Sequence, residues 1–142
     1  MSPSLPRVRY AREFSLEAEE FRRVLVDSGL GAIRPVDDVP RLQAILDNSN
    51  FIVTARLDAP DRPLVGVARG MSDGGWACYV ADLAVAKSAQ RLGVGQGLLD
   101  AARRQLGEAV SLVLVSVPEA VGFSRRAGMT PLPHCFWYRR RL

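Results

Sequence analysis

The alternation of apolar and polar positions divides the chain into strand-like and helix-like segments. Short apolar runs rich in β-branched and aromatic residues predict strands at residues 7–14, 51–57, 64–69, 76–85, 111–117 and 135–140. Proline-containing residues 58–63 and the Ser-Asp-Gly-Gly sequence of residues 72–75 predict turns that join three of these strands into an antiparallel meander. The unbroken apolar run at residues 111–117 is typical of a buried parallel strand. A further short strand is allowed at residues 130–132.

Apolar residues spaced three or four positions apart predict helices between these strands. The predicted helices occupy residues 16–28, 39–47, 98–106 and 119–127. Ser15 is expected to cap the first helix, and the pair Asp37-Asp38 is expected to cap the second, which tolerates Pro40 in its first turn. The predicted element order is therefore β-α-α-β-β-β-α-β-α-β.

A glycine-rich loop joins the strand at residues 76–85 to the helix that follows it. From Gln90 to Gly97 the loop reads Gln-Arg-Leu-Gly-Val-Gly-Gln-Gly. The first amides of a helix lack partners within the helix and carry the positive end of its dipole. Glycines also remove the β-carbons that would hold a phosphate away from the backbone. The loop therefore predicts an anion site, with a tight turn that binds no ligand as the alternative.

Two common phosphate-binding motifs do not fit this loop. A dinucleotide-binding fingerprint would need its third glycine where Leu98 stands. A P-loop needs a lysine followed by serine or threonine, whereas the only lysine in the chain, Lys87, precedes the glycines. What remains is a Gln90-x-x-Gly93-x-Gly95 pattern directly after the end of a strand.

This pattern resembles the acyl-CoA-binding signature of the GNAT acetyltransferase superfamily, in which the loop reads Gln/Arg-x-x-Gly-x-Gly/Ala. Residues 120–129 resemble a second segment of that family, Ala-x-x-Leu/Phe-Tyr-x-x-x-Gly-Phe, and the predicted element order agrees over nearly the whole chain. The resemblance implies a single GNAT-like domain over residues 1–142. Its expected fold class is α/β (α+β), with a central mixed, mostly antiparallel twisted sheet, a splayed parallel strand pair, and helices on both faces.

The resemblance further implies acetyl-CoA as co-substrate. Backbone groups at the strand end Leu83-Ala84-Val85 are expected to pair with pantetheine as an added strand would. Loop amides are expected to hold the pyrophosphate. The implied loop residues are Gln90, Arg91, Leu92, Gly93, Val94, Gly95 and Gln96.

Three side chains are candidates for the chemistry of acetyl transfer to an amine. Asp82 is a lone carboxylate in an apolar strand, where desolvation would raise its pKa and suit it to act as a base. The alternative is a structural carboxylate paired with one of the many arginines. Tyr79 is the second candidate, with a structural aromatic residue as its alternative. Ser124, the third, stands where the family has a tyrosine that protonates the departing thiolate.

The serine at position 124 is a departure from the family pattern, as is Val117 in place of an asparagine. A serine hydroxyl is a far weaker acid than a phenol, whose pKa is about 10, but a thiol of pKa about 8.5 can leave as thiolate without a strong proton donor. Two alternatives follow: Ser124 holds a water molecule, or Tyr138 reaches in from another element.

Charge and composition limit the other classes of function. The net charge is +4, but 18 of the 19 basic residues are arginine and they are scattered, apart from residues 139–141. Nucleic-acid binding is therefore not expected, and the charge suits an anionic cofactor. The absence of a long apolar run or a secretory segment in residues 1–10 predicts a soluble, cytoplasmic protein with no membrane partner.

Metal chemistry is not expected either. His134 is the only histidine, and Cys78 and Cys135 lack metal-ligand spacing, so both cysteines are expected to be buried small hydrophobic residues.

The function predicted from these features is an acetyl-CoA-dependent N-acetyltransferase for a primary amine of a small molecule, acting by direct attack in a ternary complex. Five aromatic residues suggest an arylalkylamine as one acceptor: Trp76, Tyr79, Phe136, Trp137 and Tyr138. The alternative is a non-catalytic acyl-CoA-binding or regulatory domain of the same fold. The protein is expected to be a monomer or a homodimer.

Overall fold

One mixed sheet organises the fold, and its five strands lie side by side in their order along the chain. The computed structural model describes residues 7–141. Its strands are β1 (Val8–Arg12), β2 (Phe51–Leu57), β3 (Leu64–Ser72), β4 (Ala77–Val85) and β5 (Ser111–Leu114). Neighbouring strands are antiparallel except β4 and β5, which are parallel. The predicted meander and the mixed, mostly antiparallel sheet are therefore confirmed.

Helices cover both faces of this sheet. They are α1 (Ala18–Ser28), α2 (Val39–Asp47), α3 (Val94–Leu106) and α4 (Val121–Arg126), with short 3-10 helices at Leu30–Ile33, Lys87–Leu92 and Pro118–Ala120. α1 and α2 pack on one face, and α3 packs on the other. Within residues 7–141, no helix has the length and apolar character needed to cross a membrane.

Two clusters of buried apolar side chains fill the spaces between sheet and helices. The cluster under α3 includes Phe51, Val53, Val65, Cys78, Val80, Val94 and Leu98. The cluster under α1 and α2 includes Phe21, Leu25, Leu42, Leu46, Ile52, Val67 and Ala84. Successive residues of β2 enter opposite clusters, as the twofold period of a strand requires. Cys78 is buried as expected, but Cys135 is exposed, so that part of the prediction is wrong.

The two predicted helix caps have different outcomes. The Asp38 side chain accepts a hydrogen bond from the Arg41 amide at 3.1 Å, which confirms the predicted start of α2. Ser15 does not cap α1, which begins at Ala18 after Glu17. The Glu13 amide still donates a hydrogen bond to the Ile52 carbonyl, so the chain leaves the sheet only after Glu13. Leu16 is then buried in the cluster under α1 and α2 before the helix begins.

The carboxyl-terminal part of the chain differs most from the prediction. β5 ends at Leu114 instead of residue 117, and neither residues 130–132 nor residues 135–140 form a strand. Pro131 and Pro133 have no backbone N–H with which to enter a ladder. Residues 135–140, including Phe136 and Trp137, are all exposed, and they pair with none of the five strands.

Candidate active site

A β-bulge interrupts the pairing of β4 with β3. Gly70 lies opposite Val80 and Arg69 lies opposite Asp82, so Ala81 is an extra residue on β4. This irregularity depends on Gly70, because a β-carbon there would lie 2.2 Å from the Tyr79 carbonyl oxygen. A bulge bends its strand and increases the local twist.

The pairing of β4 with β5 ends at the same place. β5 pairs only with residues 77–80 of β4, and the two strands separate from Ala81 onwards. A cleft of about 440 Å³ opens between them. Its lining includes Leu83, Val85, Gln90 and Gly95 on one side, and Leu114, Ser116, Val117, Glu119, Phe123 and Ser124 on the other. The splayed parallel pair implied by the sequence is therefore present.

The glycine-rich loop leads from the end of β4 into α3. Residues Lys87–Leu92 form a 3-10 helix, and Gly93 then adopts the left-handed conformation, with φ 71° and ψ 21°. α3 begins at Val94, four residues before the predicted start, and no side chain of the described residues caps it. The first amides of α3 thus have no side-chain cap among the described residues, and the anion site stays a prediction.

Two contacts fix this loop against the cleft. The Gln90 side-chain amide donates a hydrogen bond to the Val85 carbonyl at 3.1 Å and so ties the loop to the end of β4. Gly95 faces the Phe123 ring of α4, and an added β-carbon at position 95 would lie 3.0 Å from that ring. The cleft therefore passes between α3 and α4, with Gly95 on one side and Phe123 on the other.

The residues present fit acetyl-CoA. Of the strand end expected to pair with pantetheine, Leu83 and Val85 line the cleft, whereas the Ala84 side chain is buried under α1. The side chains of the loop residues also lie in different environments. Arg91, Leu92 and Gly93 are exposed, Val94 is buried in the core, and Gln96 bonds to Asp100 one turn later.

The Asp82 carboxylate is paired with two arginines. Its Oδ1 accepts a hydrogen bond from Arg34 Nε at 2.6 Å, and its Oδ2 accepts one from Arg69 Nε at 2.5 Å. The carboxylate is 1% exposed and is not among the residues that line the cleft. These contacts match the alternative of a structural carboxylate paired with arginine, and the role of Asp82 as the base stays a prediction.

Arg34 is a functional candidate that the sequence analysis missed. Besides its ion pair with Asp82, it donates to the Ala81 carbonyl at 2.9 Å through Nη2 and to the Ile33 carbonyl at 3.1 Å through Nη1. It therefore holds the bulge from the segment between α1 and α2, and it also lines the cleft. Together with Arg69 and Asp82, it forms a cluster of two positive charges and one negative charge, a net charge of +1.

The other predicted catalytic residues lie in different environments. Ser124 lines the cleft, and its hydroxyl lies 2.6 Å from that of Ser116. Tyr79 precedes the bulge, is 42% exposed, and does not line the cleft. Tyr138 is fully exposed and does not reach the cleft either. The sequence analysis did not identify Ser116, because it lies within the apolar run at residues 111–117, which predicts only a buried strand.

Comparison with known proteins agrees with this geometry. The model of the acetyltransferase (GNAT) family matches residues 14–129. An uncharacterised N-acetyltransferase, ycf52, from Pyropia yezoensis is 30% identical over 108 residues, which are 70% of this chain and 62% of that protein. The match thus spans less than two thirds of the relative's length.

Solved structures give the same result for the fold. A GNAT family acetyltransferase from Streptococcus pneumoniae superposes with a TM-score of 0.70 at 25% identity, over 95% of this chain and all of the other. An aminoglycoside N-acetyltransferase in complex with CoA superposes with a TM-score of 0.69 at 17% identity, and both chains are fully covered. The splayed strands, the uncapped helix start and the extent of the family match lead to one conclusion: this chain belongs to the acetyltransferase (GNAT) family.

Proposed function

We propose that this protein transfers an acetyl group from acetyl-CoA to a primary amine of a small molecule, by direct attack in a ternary complex. The observation that carries this proposal is the cleft between β4 and β5, which leads to the uncapped start of α3. Such a cleft suits a long ligand with an anionic end, because the helix amides can receive phosphate groups while the strand edges flank the rest.

The proposed ligand contacts are mostly with the backbone. Leu83 and Val85 would flank the pantetheine, and the amides of residues 94–96 would hold the pyrophosphate. When bound, acetyl-CoA would supply a thioester carbonyl that is activated towards amines. The protein's part is to orient this carbonyl, to exclude water from it and to stabilise the negative charge that develops on its oxygen.

The charges near the cleft favour this chemistry. The Arg34–Asp82–Arg69 cluster has a net positive charge and lies at the bulge, where Arg34 reaches the cleft. Among the described residues that line the cleft, Glu119 is the only carboxylate, and it would attract a cationic amine. Asp82 is poorly placed to act as the base, because both of its carboxylate oxygens are already paired with arginines.

The acceptor is proposed only as a primary amine. The aromatic residues that suggested an arylalkylamine do not line the cleft: Trp76, Tyr79, Phe136, Trp137 and Tyr138 are all exposed. An acceptor panel should therefore include an arylalkylamine, an aminoglycoside, an amino acid and a peptide with a free amino terminus.

Release of CoA in the presence of this panel tests the proposal. The protein is incubated with acetyl-CoA, one amine and a thiol reagent, and an enzyme releases CoA faster with an amine than without one. A protein that binds acetyl-CoA but releases no CoA with any amine would instead be the non-catalytic acyl-CoA-binding domain. The serine at position 124, in place of the family's tyrosine, favours that second candidate.

Substitutions at Ser124 separate these candidates further. We expect Ser124→Ala to lower turnover by less than about tenfold, or about 1.4 kcal/mol, because a thiol can leave without a strong acid. Ser124→Tyr should preserve or raise the rate, since it restores a phenol at this position. Complete loss of turnover in Ser124→Ala, with CoA binding retained in a thermal-shift assay, would contradict this account of the leaving group.

A further inference from the structure

An arginine side chain lines the cleft at the end remote from the glycine-rich loop. Arg34 donates a hydrogen bond to the Ala81 carbonyl, at the bulge where β4 and β5 separate. The uncapped start of α3 lies past the other end of this stretch of β4, beyond Val85. A strand rises about 3.3 Å per residue, so the stretch from Ala81 to Val85 is about 13 Å long. With the pyrophosphate at α3 and pantetheine along Leu83 and Val85, the acyl end of acetyl-CoA would point towards Arg34, and the acceptor would approach there.

The Arg34 guanidinium keeps donors that the protein does not use. An arginine side chain has five N–H groups. Among the described residues, three of those of Arg34 are bonded, to the Asp82 carboxylate and to the Ala81 and Ile33 carbonyls. The other two are on Nη1 and Nη2, and the side chain is 26% exposed, so a ligand in the cleft can accept from them. Because the bonded donors fix the guanidinium plane, the unused ones are held in place before a ligand binds.

The charges around this guanidinium are not balanced. Arg34 and Arg69 share the single carboxylate of Asp82, and neither arginine forms an ion pair with any other carboxylate of the described residues. Arg69 is nearly buried and does not line the cleft, so the excess positive charge is accessible only where Arg34 faces the cleft. A carboxylate bound there would balance the cluster, and a guanidinium binds a carboxylate through strong charge-assisted hydrogen bonds.

We propose that the acceptor is an amino acid, and that Arg34 binds its carboxylate while its amino group attacks the thioester. This inference rests on the proposed function, because it names the acceptor of the same site. Arg34 and Glu119 are the only charged residues among the described residues that line the cleft, so the cleft offers one group of each sign to a zwitterion. An aminoglycoside, which brings only positive charges, would be repelled by Arg34.

Acceptors that differ only at the carboxyl group test this inference. Each amino acid with a primary amino group is compared with its α-carboxamide in the assay of CoA release. The best amino acid should have a kcat/KM at least about tenfold higher than that of its carboxamide, because the amide cannot form a charged pair with Arg34. The carboxamide loses the negative charge without making the amine more basic, so a larger neutral fraction of amine does not explain a preference for the acid.

Variants of Arg34 show whether this side chain causes the preference. Arg34→Gln should reduce the preference to about twofold or less by raising KM for the acid, and Arg34→Lys, which keeps the charge, should retain part of it. A purely structural role of Arg34 would instead lower the rates with acid and amide equally. Arg23→Gln is the matched control, because Arg23 is exposed on α1 outside the cleft, and its loss should leave the preference unchanged.

Calorimetry gives a readout that needs no turnover. The N-acetyl derivatives of the amino acids and of their carboxamides are titrated into protein saturated with CoA. The wild type should bind the best N-acetyl amino acid at least about tenfold more tightly than the matching amide, and Arg34→Gln should bind the two about equally. Each variant is melted in parallel, and if Arg34→Gln does not melt cooperatively, the wild type and Arg34→Lys decide the outcome.

The outcomes separate this inference from the proposed function. If the wild type releases CoA with amines but prefers no amino acid to its carboxamide, the inference is wrong and the acetyltransferase proposal stands. If Arg34→Gln keeps the preference of the wild type, Arg34 is not the residue that binds the carboxylate. If no amine releases CoA but the N-acetyl amino acids bind with the expected preference, the proposed function fails and the carboxylate site stands. If that preference is absent too, both are wrong.

Discussion

Replacing Asp82 with asparagine should lower the free energy of unfolding by about 3–5 kcal/mol, the usual cost of removing one partner from a buried ion pair. Asp82 is the single carboxylate between the Arg34 and Arg69 guanidinium groups, and the Arg69 side chain is only 9% exposed. Without it, two positive charges would lie side by side near the sheet with no counter-charge. The melting temperature is expected to fall by at least about 10 °C, and urea unfolding gives the free energy directly.

A matched control for this variant is Asp58→Asn. Asp58 forms an ion pair with Arg9 at 3.1 Å, but both side chains are largely exposed, so its loss should cost no more than about 1 kcal/mol. If Asp82 instead acts as the catalytic base, its replacement should lower turnover and leave stability unchanged. A variant Asp82→Asn that melts like the wild type, binds CoA, and turns over roughly 10²–10⁴-fold more slowly would identify Asp82 as the base.

Replacing Gly95 with glutamate should abolish the thermal stabilisation that CoA gives the wild type. Gly95 lies in the first turn of α3 and lines the cleft, with the Phe123 ring 3.0 Å from where its β-carbon would be. A glutamate there would place bulk and a negative charge where the pyrophosphate is proposed to bind. At a concentration 100 times its Kd, CoA should stabilise the wild type by about 2.7 kcal/mol and the variant by nothing measurable.

Gly75→Glu is the control for this loss of binding. Gly75 lies in the β3–β4 turn, where an added β-carbon has no atom within 4 Å, so this variant should keep the full response to CoA. A negative charge in the first turn of a helix is itself favourable, so charge alone should not unfold Gly95→Glu. If Gly95→Glu melts cooperatively and binds CoA with unchanged affinity, the loop has been wrongly assigned.

The sequence predicted the parts of the molecule that are encoded locally. Strand and helix periods, the Asp38 cap and the glycine loop all depend on residues a few positions apart, and the structure contains each of them. The tail at residues 135–140 has a strand-like composition, but a strand also needs a neighbour. Among the described residues, the tail pairs with no strand, and the outer edge of β5 is left without a strand partner.

The missed features all depend on contacts between different elements of the fold. Arg34 and Asp82 are 48 positions apart, and nothing in the α1–α2 segment signals that its arginine will reach β4. The bulge at Ala81 is a property of the register between two strands, which neither strand reveals alone. Ser116 is one polar residue in an apolar run, and only its contact with Ser124 distinguishes it.

The contact between Arg34 and the bulge limits how freely this scaffold can be re-engineered. The segment between α1 and α2 looks like an exchangeable surface connection, yet it supplies the side chain that holds the Ala81 carbonyl and the Asp82 carboxylate. A chimera that receives this segment from another protein would lose that arginine unless the graft retained it at the equivalent position. Redesign of this segment must therefore vary the residues around Arg34 and leave Arg34 itself in place.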